Sequence, residues 1–304
     1  MSEIKKVAIL GAGAMGAYFA SCFAETPDIE TILVADKARA AKLRKNGLIV
    51  NGKTYHFNVV VPEEAQSPVD IVLVALKHHQ LAGAISGMDK LVGNDTLFLS
   101  VMNGLESEDI IASKFGYERV LYAISIGIDA VREGNQVTYT KPGKHIFGEA
   151  KNPAPSSKVL RVQEVFQKAG IQFDTPSDMM RMLWWKFMVN VGVNQASAVL
   201  RAPYGVFHSN KNASALMDAL MQEVVILAQA SGIDLTPQDV LDWYPVLHTL
   251  SSEGKTSMLQ DVEAGRQTEV DVFGGKVVAL GKQLNIPTPV NQAIVNIIKV
   301  IENN

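Results

Sequence analysis

Six consecutive residues, Gly11-Ala12-Gly13-Ala14-Met15-Gly16, most constrain what this chain can become. They stand between an apolar run, Val7-Ala8-Ile9-Leu10, and a helix-like stretch, Ala17-Tyr18-Phe19-Ala20, so a phosphate-cradling glycine pattern falls where a strand turns into a helix. Gly11 permits the tight turn, Gly13 lets the backbone approach a pyrophosphate, and Gly16 lets the helix pack closely on the sheet. Backbone N–H groups and the helix dipole then face an anion. Asp36, twenty residues beyond Gly16, ends a second apolar run, Thr31-Ile32-Leu33-Val34-Ala35, which is the spacing of a ribose-binding carboxylate. All six residues of the turn and Asp36 are therefore candidate dinucleotide contacts, with a glycine-rich structural turn as the alternative.

A chain of 304 residues exceeds one ordinary core, so two domains are expected, and 47 % apolar with 19 % charged residues suits a packed globular enzyme. The net charge of −3 and a pI near 6.1, with Lys and Arg scattered, provide no basic field for nucleic acid. Cys22 is the only cysteine, which excludes an intrachain disulfide and fits a reducing cytoplasm. The N-terminus carries no signal-peptide pattern, and no apolar run is expected to approach the ~20 residues of a membrane span. A cytoplasmic protein without a membrane partner is expected.

The first part of the chain reads as α/β. A charged helix over Lys37–Asn46 stops at Gly47, Leu48-Ile49-Val50 turns at Asn51-Gly52, and a short strand follows around Phe57–Val61. Val69–Leu76 and Thr96–Val101 are nearly continuous in apolar residues, as buried parallel strands are; they run into Lys77 and into Met102-Asn103-Gly104, where ligands of open α/β sheets bind. Val120–Ile126, Val137–Thr140 and His145–Phe147 are expected to extend the same sheet. After the turn cluster Asp174-Thr175-Pro176-Ser177-Asp178 the pattern becomes helical throughout. The expected helices are Met179–Val199, Ala213–Ser231, Pro237–Leu250, Glu253–Ala264, Glu269–Leu284 and Val290–Ile301. The domains are drawn at 1–176 and 177–304. His78-His79 is the only close histidine pair, and adjacent histidines do not share a helix face, so no metal site is expected.

Two constellations in the helical part carry chemistry. Lys186, Asn190 and Asn194 recur every four residues on a helix that is otherwise apolar almost all round. An ammonium and two amides on a buried face are costly without partners, which marks a binding cleft or, equally, a polar seam between domains. In the second, Thr256–Asp271, a straight helix would hold Ser257 and Glu269 about 18 Å apart. Gly265 suggests a break, with Thr268 capping a new helix and Glu269 at its N-terminus, able to fold back towards Ser257. A solvated carboxylate in a first helical turn explains Glu269 as well.

On these motifs, with Leu76-Lys77, Asn103-Gly104, Leu183-Trp184-Trp185-Lys186 and Thr256-Ser257-Met258-Leu259-Gln260-Asp261, the chain resembles over essentially its whole length the ketopantoate reductases (2-dehydropantoate 2-reductases) and related 2-hydroxyacid dehydrogenases. The resemblance implies an N-terminal Rossmann-type dinucleotide-binding domain and an all-helical C-terminal domain, with substrate held in the cleft between them. It implies that Lys186 is the general acid, that Asn190, Asn194 and Ser257 hold the 2-oxoacid, and that Glu269 fixes a substrate hydroxyl or the nicotinamide ribose. Asn103 would orient Lys186 and the cofactor, and Lys77 and Ala130 match cofactor contacts. A 2-oxoacid is the implied partner, with a homodimer open as an assembly.

The sequence departs from the family at Asp36, where members usually carry an arginine for the 2′-phosphate of NADPH. A carboxylate there favours NAD(H), while Lys37 and Arg39 keep NADP(H) as an alternative. Tyr204 and Met102 replace polar residues and suit a less hydroxylated, branched or aromatic 2-oxoacid. The leading expectation is reduction of ketopantoate to pantoate for pantothenate synthesis. A broader NAD-dependent D-2-hydroxyacid dehydrogenase stands second, and a non-catalytic nucleotide sensor third, the last disfavoured by an intact proton donor.

Overall fold

The computed structural model describes residues 3–303, which separate into two compact units at Met180/Arg181. In the first unit, alternating apolar residues explain a sheet covered on both faces. Val7 and Ile9 of strand β1 (Lys6–Leu10) join one core, Ala8 and Leu10 the other. The remaining strands are β2 (Glu30–Val34), β3 (Leu48–Val50), β4 (Lys53–Tyr55), β5 (Asn58–Val60), β6 (Val69–Val74), β7 (Val92–Ser100), β8 (Val120–Ile128), β9 (Val131–Glu133), β10 (Gln136–Thr138), β11 (Pro142–Gly148) and β12 (Phe173–Asp174). Helices α1 (Ala14–Ala24), α2 (Lys37–Asn46), α3 (His78–Ser86), α4 (Ser107–Phe115) and α5 (Ser157–Lys168) complete this unit. Phe19 and Phe23 of α1 and Val162 and Phe166 of α5 fill the first core, while Leu81 and Ile85 of α3 and Ile111 of α4 fill the second.

The main sheet has the order β12-β11-β8-β7-β6-β1-β2-β5. Strands β5, β2, β1, β6, β7 and β8 are parallel, and β11 pairs antiparallel with β8. The strand order reverses at β1 and β6, the switch point at which such sheets bind ligands. One expectation is corrected here. The segment around Val137 does not extend this sheet but, as β10, pairs parallel with β3 in a separate sheet of order β4-β3-β10-β9. The Asn51-Gly52 turn, with φ of 46° and 81°, and the Gly134 turn, with φ of 61°, fold β3/β4 and β9/β10 into hairpins short enough to pair with each other.

The second unit is helical among the described residues: α6 (Met179–Val189, beginning just before the division), α7 (Gln195–Leu200), α8 (Tyr204–Ser209), α9 (Lys211–Ala230), α10 (Pro237–Thr249), α11 (Ser257–Glu263), α12 (Lys276–Leu284) and α13 (Pro289–Glu302). Two expected helices differ in kind. Asn190–Asn194 is a π turn inserted between α6 and α7, and Asp271–Gly275 is a second π turn ahead of α12. One start also shifts, because Thr256 caps α11 by accepting the Leu259 N–H at 3.1 Å, and α8 appears where the sequence suggested no element. Contrary to the sequence expectation, helix α9 is long and apolar enough, by length and composition, to cross a bilayer. Its Met217, Leu220, Met221, Val224, Val225, Leu227 and Ala228 are buried in the protein. Its Glu223 accepts the N–H groups of Val290 and Asn291 at 2.8 and 3.0 Å, capping α13.

Candidate active site

In the first unit, the sequence-selected residues gather at the carboxyl ends of adjacent parallel strands. Gly11–Gly16 follows β1, Asp36 follows β2, Lys77 follows β6 and Met102-Asn103 follows β7. Gly11 has φ of +105°, and a Cβ on it would lie 2.5 Å from the Ala75 carbonyl oxygen; a Cβ on Gly16 would lie 1.8 Å from the Gly11 carbonyl oxygen. Neither position admits a side chain. By contrast, a Cβ on Gly13 would meet only the Ala75 oxygen, at 3.9 Å, so the backbone there faces open space at the N-terminus of α1. A closed turn, an open Gly13 and a helix N-terminus fit a dinucleotide diphosphate.

Asp36 also has a structural task, since its Oδ1 accepts the Arg39 N–H at 2.8 Å and caps α2. Lys77 caps α3 and is exposed, its N–H donating to Gln80 Oε1 at 3.3 Å. Asn103 is half-buried beside Met102, which is 8 % exposed. Ala130 lies in the link between β8 and β9, packed on the core. His78 at the start of α3 faces Glu106 in the loop after β7, with Nε2 3.4 Å from Oε2. Sequence reasoning missed Arg132: from β9 it donates to the Ala12 carbonyl at 2.9 Å, where Arg39 donates at 3.3 Å. Nothing local marks it, because its partner is a backbone oxygen 120 positions away.

Beneath the Met102 loop lies a buried chain of hydroxyls. Ser100 donates to Ser107 at 2.8 Å, Ser107 donates to Glu108 Oε2 at 2.8 Å, and the Met102 N–H donates to Ser100 at 3.4 Å. Burial pushes the Glu108 carboxyl up to about 7.

In the second unit Asn190, Asn194 and Ser257 form one hydrogen-bonded chain. Ser257 donates to Asn194 Oδ1 at 3.1 Å, the Met258 N–H donates to the same oxygen at 3.4 Å, and Asn194 Nδ2 donates to Asn190 Oδ1 at 3.3 Å. Ser257 opens α11, so two elements converge on the π turn that follows Lys186. Desolvation, the only cause at work, lowers the Lys186 ammonium to about 8. The expected break is present: Gly265, with φ of +61°, follows α11, and the Thr268 hydroxyl accepts the Val270 N–H at 3.2 Å. Glu269 stands at the head of the following π turn, its carbonyl accepting the Val272 and Phe273 N–H groups at 3.0 and 3.1 Å. Tyr204 opens α8 with its ring against Gly254, and burial raises its phenol.

The first unit thus presents an open glycine-rich turn at a helix N-terminus, and the second a desolvated lysine one turn ahead of a hydrogen-bonded chain of amides and a hydroxyl. Comparison with known proteins gives the family. The family described as ketopantoate reductase PanE/ApbA matches residues 7–152, and its C-terminal counterpart matches residues 178–302. A 2-dehydropantoate 2-reductase of Streptococcus pyogenes serotype M6 is 25 % identical over 307 aligned positions, covering 97 % of each chain. A PanE/ApbA family ketopantoate reductase from Ralstonia eutropha JMP134 superposes with a TM-score of 0.85 at 26 % identity, covering 98 % of each chain. A D-mandelate dehydrogenase solved with NADH and anilino(oxo)acetate shares the fold, with a TM-score of 0.88 at 22 % identity and 98 % coverage of each chain. With both halves matched over residues 7–152 and 178–302, the chain belongs to the ketopantoate reductase family and is a 2-dehydropantoate 2-reductase-like oxidoreductase acting on a CH–OH group.

Proposed function

We propose that this protein reduces a 2-oxoacid to the 2-hydroxyacid with a nicotinamide dinucleotide, and that ketopantoate is its substrate. The observation that carries the reading is the desolvated Lys186 ammonium immediately ahead of the Asn190–Asn194–Ser257 chain. When bound, the nicotinamide supplies a hydride to the carbonyl carbon. Negative charge then develops on the carbonyl oxygen, and Lys186 both stabilises it and delivers the proton. Asn190, Asn194 and Ser257 offer amide and hydroxyl donors to the oxoacid carboxylate and carbonyl. Glu269 holds a substrate hydroxyl or the nicotinamide ribose. The Gly11–Gly16 turn carries the diphosphate, Asn103, Lys77 and Ala130 complete the cofactor contacts, and Asp36 accepts from a ribose 2′-hydroxyl, favouring NAD(H). The names of the curated relatives support ketopantoate.

A second reading is a D-2-hydroxyacid dehydrogenase for branched or aromatic substrates. Buried Met102 beside Asn103, the desolvated Tyr204 and the carboxylate Asp36 favour it. Rates of NADH and NADPH oxidation against ketopantoate, a branched 2-oxoacid and phenylglyoxylate separate the two. Ketopantoate should give the highest kcat/KM; a higher value for phenylglyoxylate or the branched acid establishes the second reading, and no turnover of any 2-oxoacid defeats both.

A further inference from the structure

The sheet stops holding the chain just before Asn103. The Val101 N–H donates to the Val74 carbonyl at 3.0 Å, but the next amide, that of Met102, turns to the Ser100 hydroxyl at 3.4 Å. From there the donors run one way, Ser100 donating to Ser107 at 2.8 Å and Ser107 to Glu108 Oε2 at 2.8 Å. Each hydroxyl accepts one hydrogen bond and donates one, so the direction of the whole chain depends on an acceptor at its far end. Glu108 supplies it. Ser100, Ser107 and Glu108 are at most 2 % exposed, so bulk water cannot replace a missing link. Among the described residues, the groups acting on the carboxyl are Ser107, the amides of Ala123 and of Glu108 itself, and the carboxylate of Asp109. No cation is among them, and burial pushes the carboxyl up to about 7. An acid held this way is a poor ion and a good terminus for a line of hydroxyls.

Asn103 is thereby set between two backbone constraints. On one side is the Met102 amide, and on the other Gly104, whose φ of +100° belongs to a turn that side chains rarely allow. In the sheet order, β7 lies on the side of β1 opposite to β2. A dinucleotide with its diphosphate on the Gly11–Gly16 turn and its adenosine ribose at Asp36 therefore directs its nicotinamide half towards the end of β7. We propose that Glu108, acting through Ser107 and Ser100, is a positioning residue that fixes the Met102-Asn103 backbone against the nicotinamide half of the cofactor. This rests on the reading of Asn103 as a cofactor contact and deepens it, by naming what holds that contact in place. Breaking the chain should then loosen the nicotinamide half and leave the adenosine diphosphate half as it was.

Calorimetric titration of the full-length protein with NADH and with ADP, for wild type, Glu108→Leu, Glu108→Gln and Ser100→Ala, tests the role. Glu108→Leu and Ser100→Ala are each expected to weaken NADH about tenfold while ADP changes by less than about twofold. Glu108→Gln keeps an oxygen that accepts from Ser107 and should bind NADH within about twofold of wild type. Combining Glu108→Leu with Ser100→Ala should add little to either alone, because both cut the same chain. Undiminished NADH affinity in Glu108→Leu or Ser100→Ala overturns the proposal. Equal weakening of NADH and ADP, the mark of a generally loosened unit, also overturns it, as does a Glu108→Gln as impaired as Glu108→Leu. Should Glu108→Leu not fold, Ser100→Ala, which only removes a hydroxyl, decides alone. Asn103→Ala separates the proposal from the reading beneath it. NADH binding at wild-type strength in that variant refutes the cofactor role of Asn103, and a wild type that binds neither NADH nor NADPH refutes the dinucleotide reading. A weakened Asn103→Ala beside an unimpaired Ser100→Ala overturns the positioning role alone.

Discussion

A lysine whose ammonium is brought to about 8 by desolvation alone lets both directions of a carbonyl–alcohol interconversion be read from pH. Reduction needs the protonated form, so kcat/KM for the 2-oxoacid should hold below about 8 and fall as pH rises through it. Oxidation of the 2-hydroxyacid needs the neutral amine and should rise over the same interval. Lys186→Ala should lower kcat by about 10²–10⁴-fold and abolish both limbs, with cofactor affinity nearly intact. Steady-state profiles of the two proteins check this, and an unaltered pH profile in the variant would remove Lys186 from proton transfer. Asp36 requires a more careful substitution than its charge alone suggests, because it also caps α2. Asp36→Asn keeps a capping oxygen and removes repulsion of a 2′-phosphate, so the expected NADH preference of ~10-fold or more should shrink without loss of stability. Asp36→Arg should reverse the preference and cost about 1 kcal/mol through the lost cap. Comparing kcat/KM for NADH and NADPH with urea unfolding separates the two effects; a wild type that already prefers NADPH refutes the assignment to NAD.

Helix α4 and strand β7 are joined by Glu108, Ser107 and Ser100, and the carboxyl raised to about 7 makes that junction pH-sensitive. Between its ordinary value of 4.5 and about 7 the folded chain keeps a proton that the unfolded chain releases. Stability from this group is therefore present at low pH and is lost as pH rises, by about 3 kcal/mol in all. Glu108→Gln should remove that slope, so its stability relative to wild type should rise between about pH 5 and about pH 8 in urea unfolding. A constant difference would show that Glu108 is not buried as a proton-retaining acid. Other elements show what sequence does and does not reveal. The Gly11–Gly16 turn, Gly265 and Thr268 were legible because each acts on backbone within a few residues of itself. The π turn at Asn190–Asn194 was not, since Lys186, Asn190 and Asn194 recur every four positions, a spacing that an ordinary α-helix accommodates without an inserted residue. The pairing of β3 with β10 was equally hidden: three-residue strands 86 positions apart hold too few side chains to identify a partner. Arg132 belongs to the same class, a site neighbour created by that pairing.

Across the molecule, the proposed sites fall in different units, with the glycine-rich turn in 3–180 and Lys186 with the Asn190–Asn194–Ser257 chain in 181–303. NADH held at about 100 times its Kd should protect the first unit by about 2.7 kcal/mol, and peptide-resolved hydrogen exchange should find the slowing concentrated in β1 and α1. Protection confined to residues beyond 181 would place the cofactor elsewhere. The same helix α1 contains Cys22, whose thiol burial pushes up to about 11, so almost none of it is thiolate in the closed fold. Cys22 is half-buried against the core, so a maleimide should react slowly with the closed fold and faster when the helix lifts from the sheet. Because Cys22 is the chain's only sulfhydryl, its labelling rate times that opening without any engineered probe, and each dinucleotide that grips the far end of α1 should slow the clock in proportion to its own occupancy.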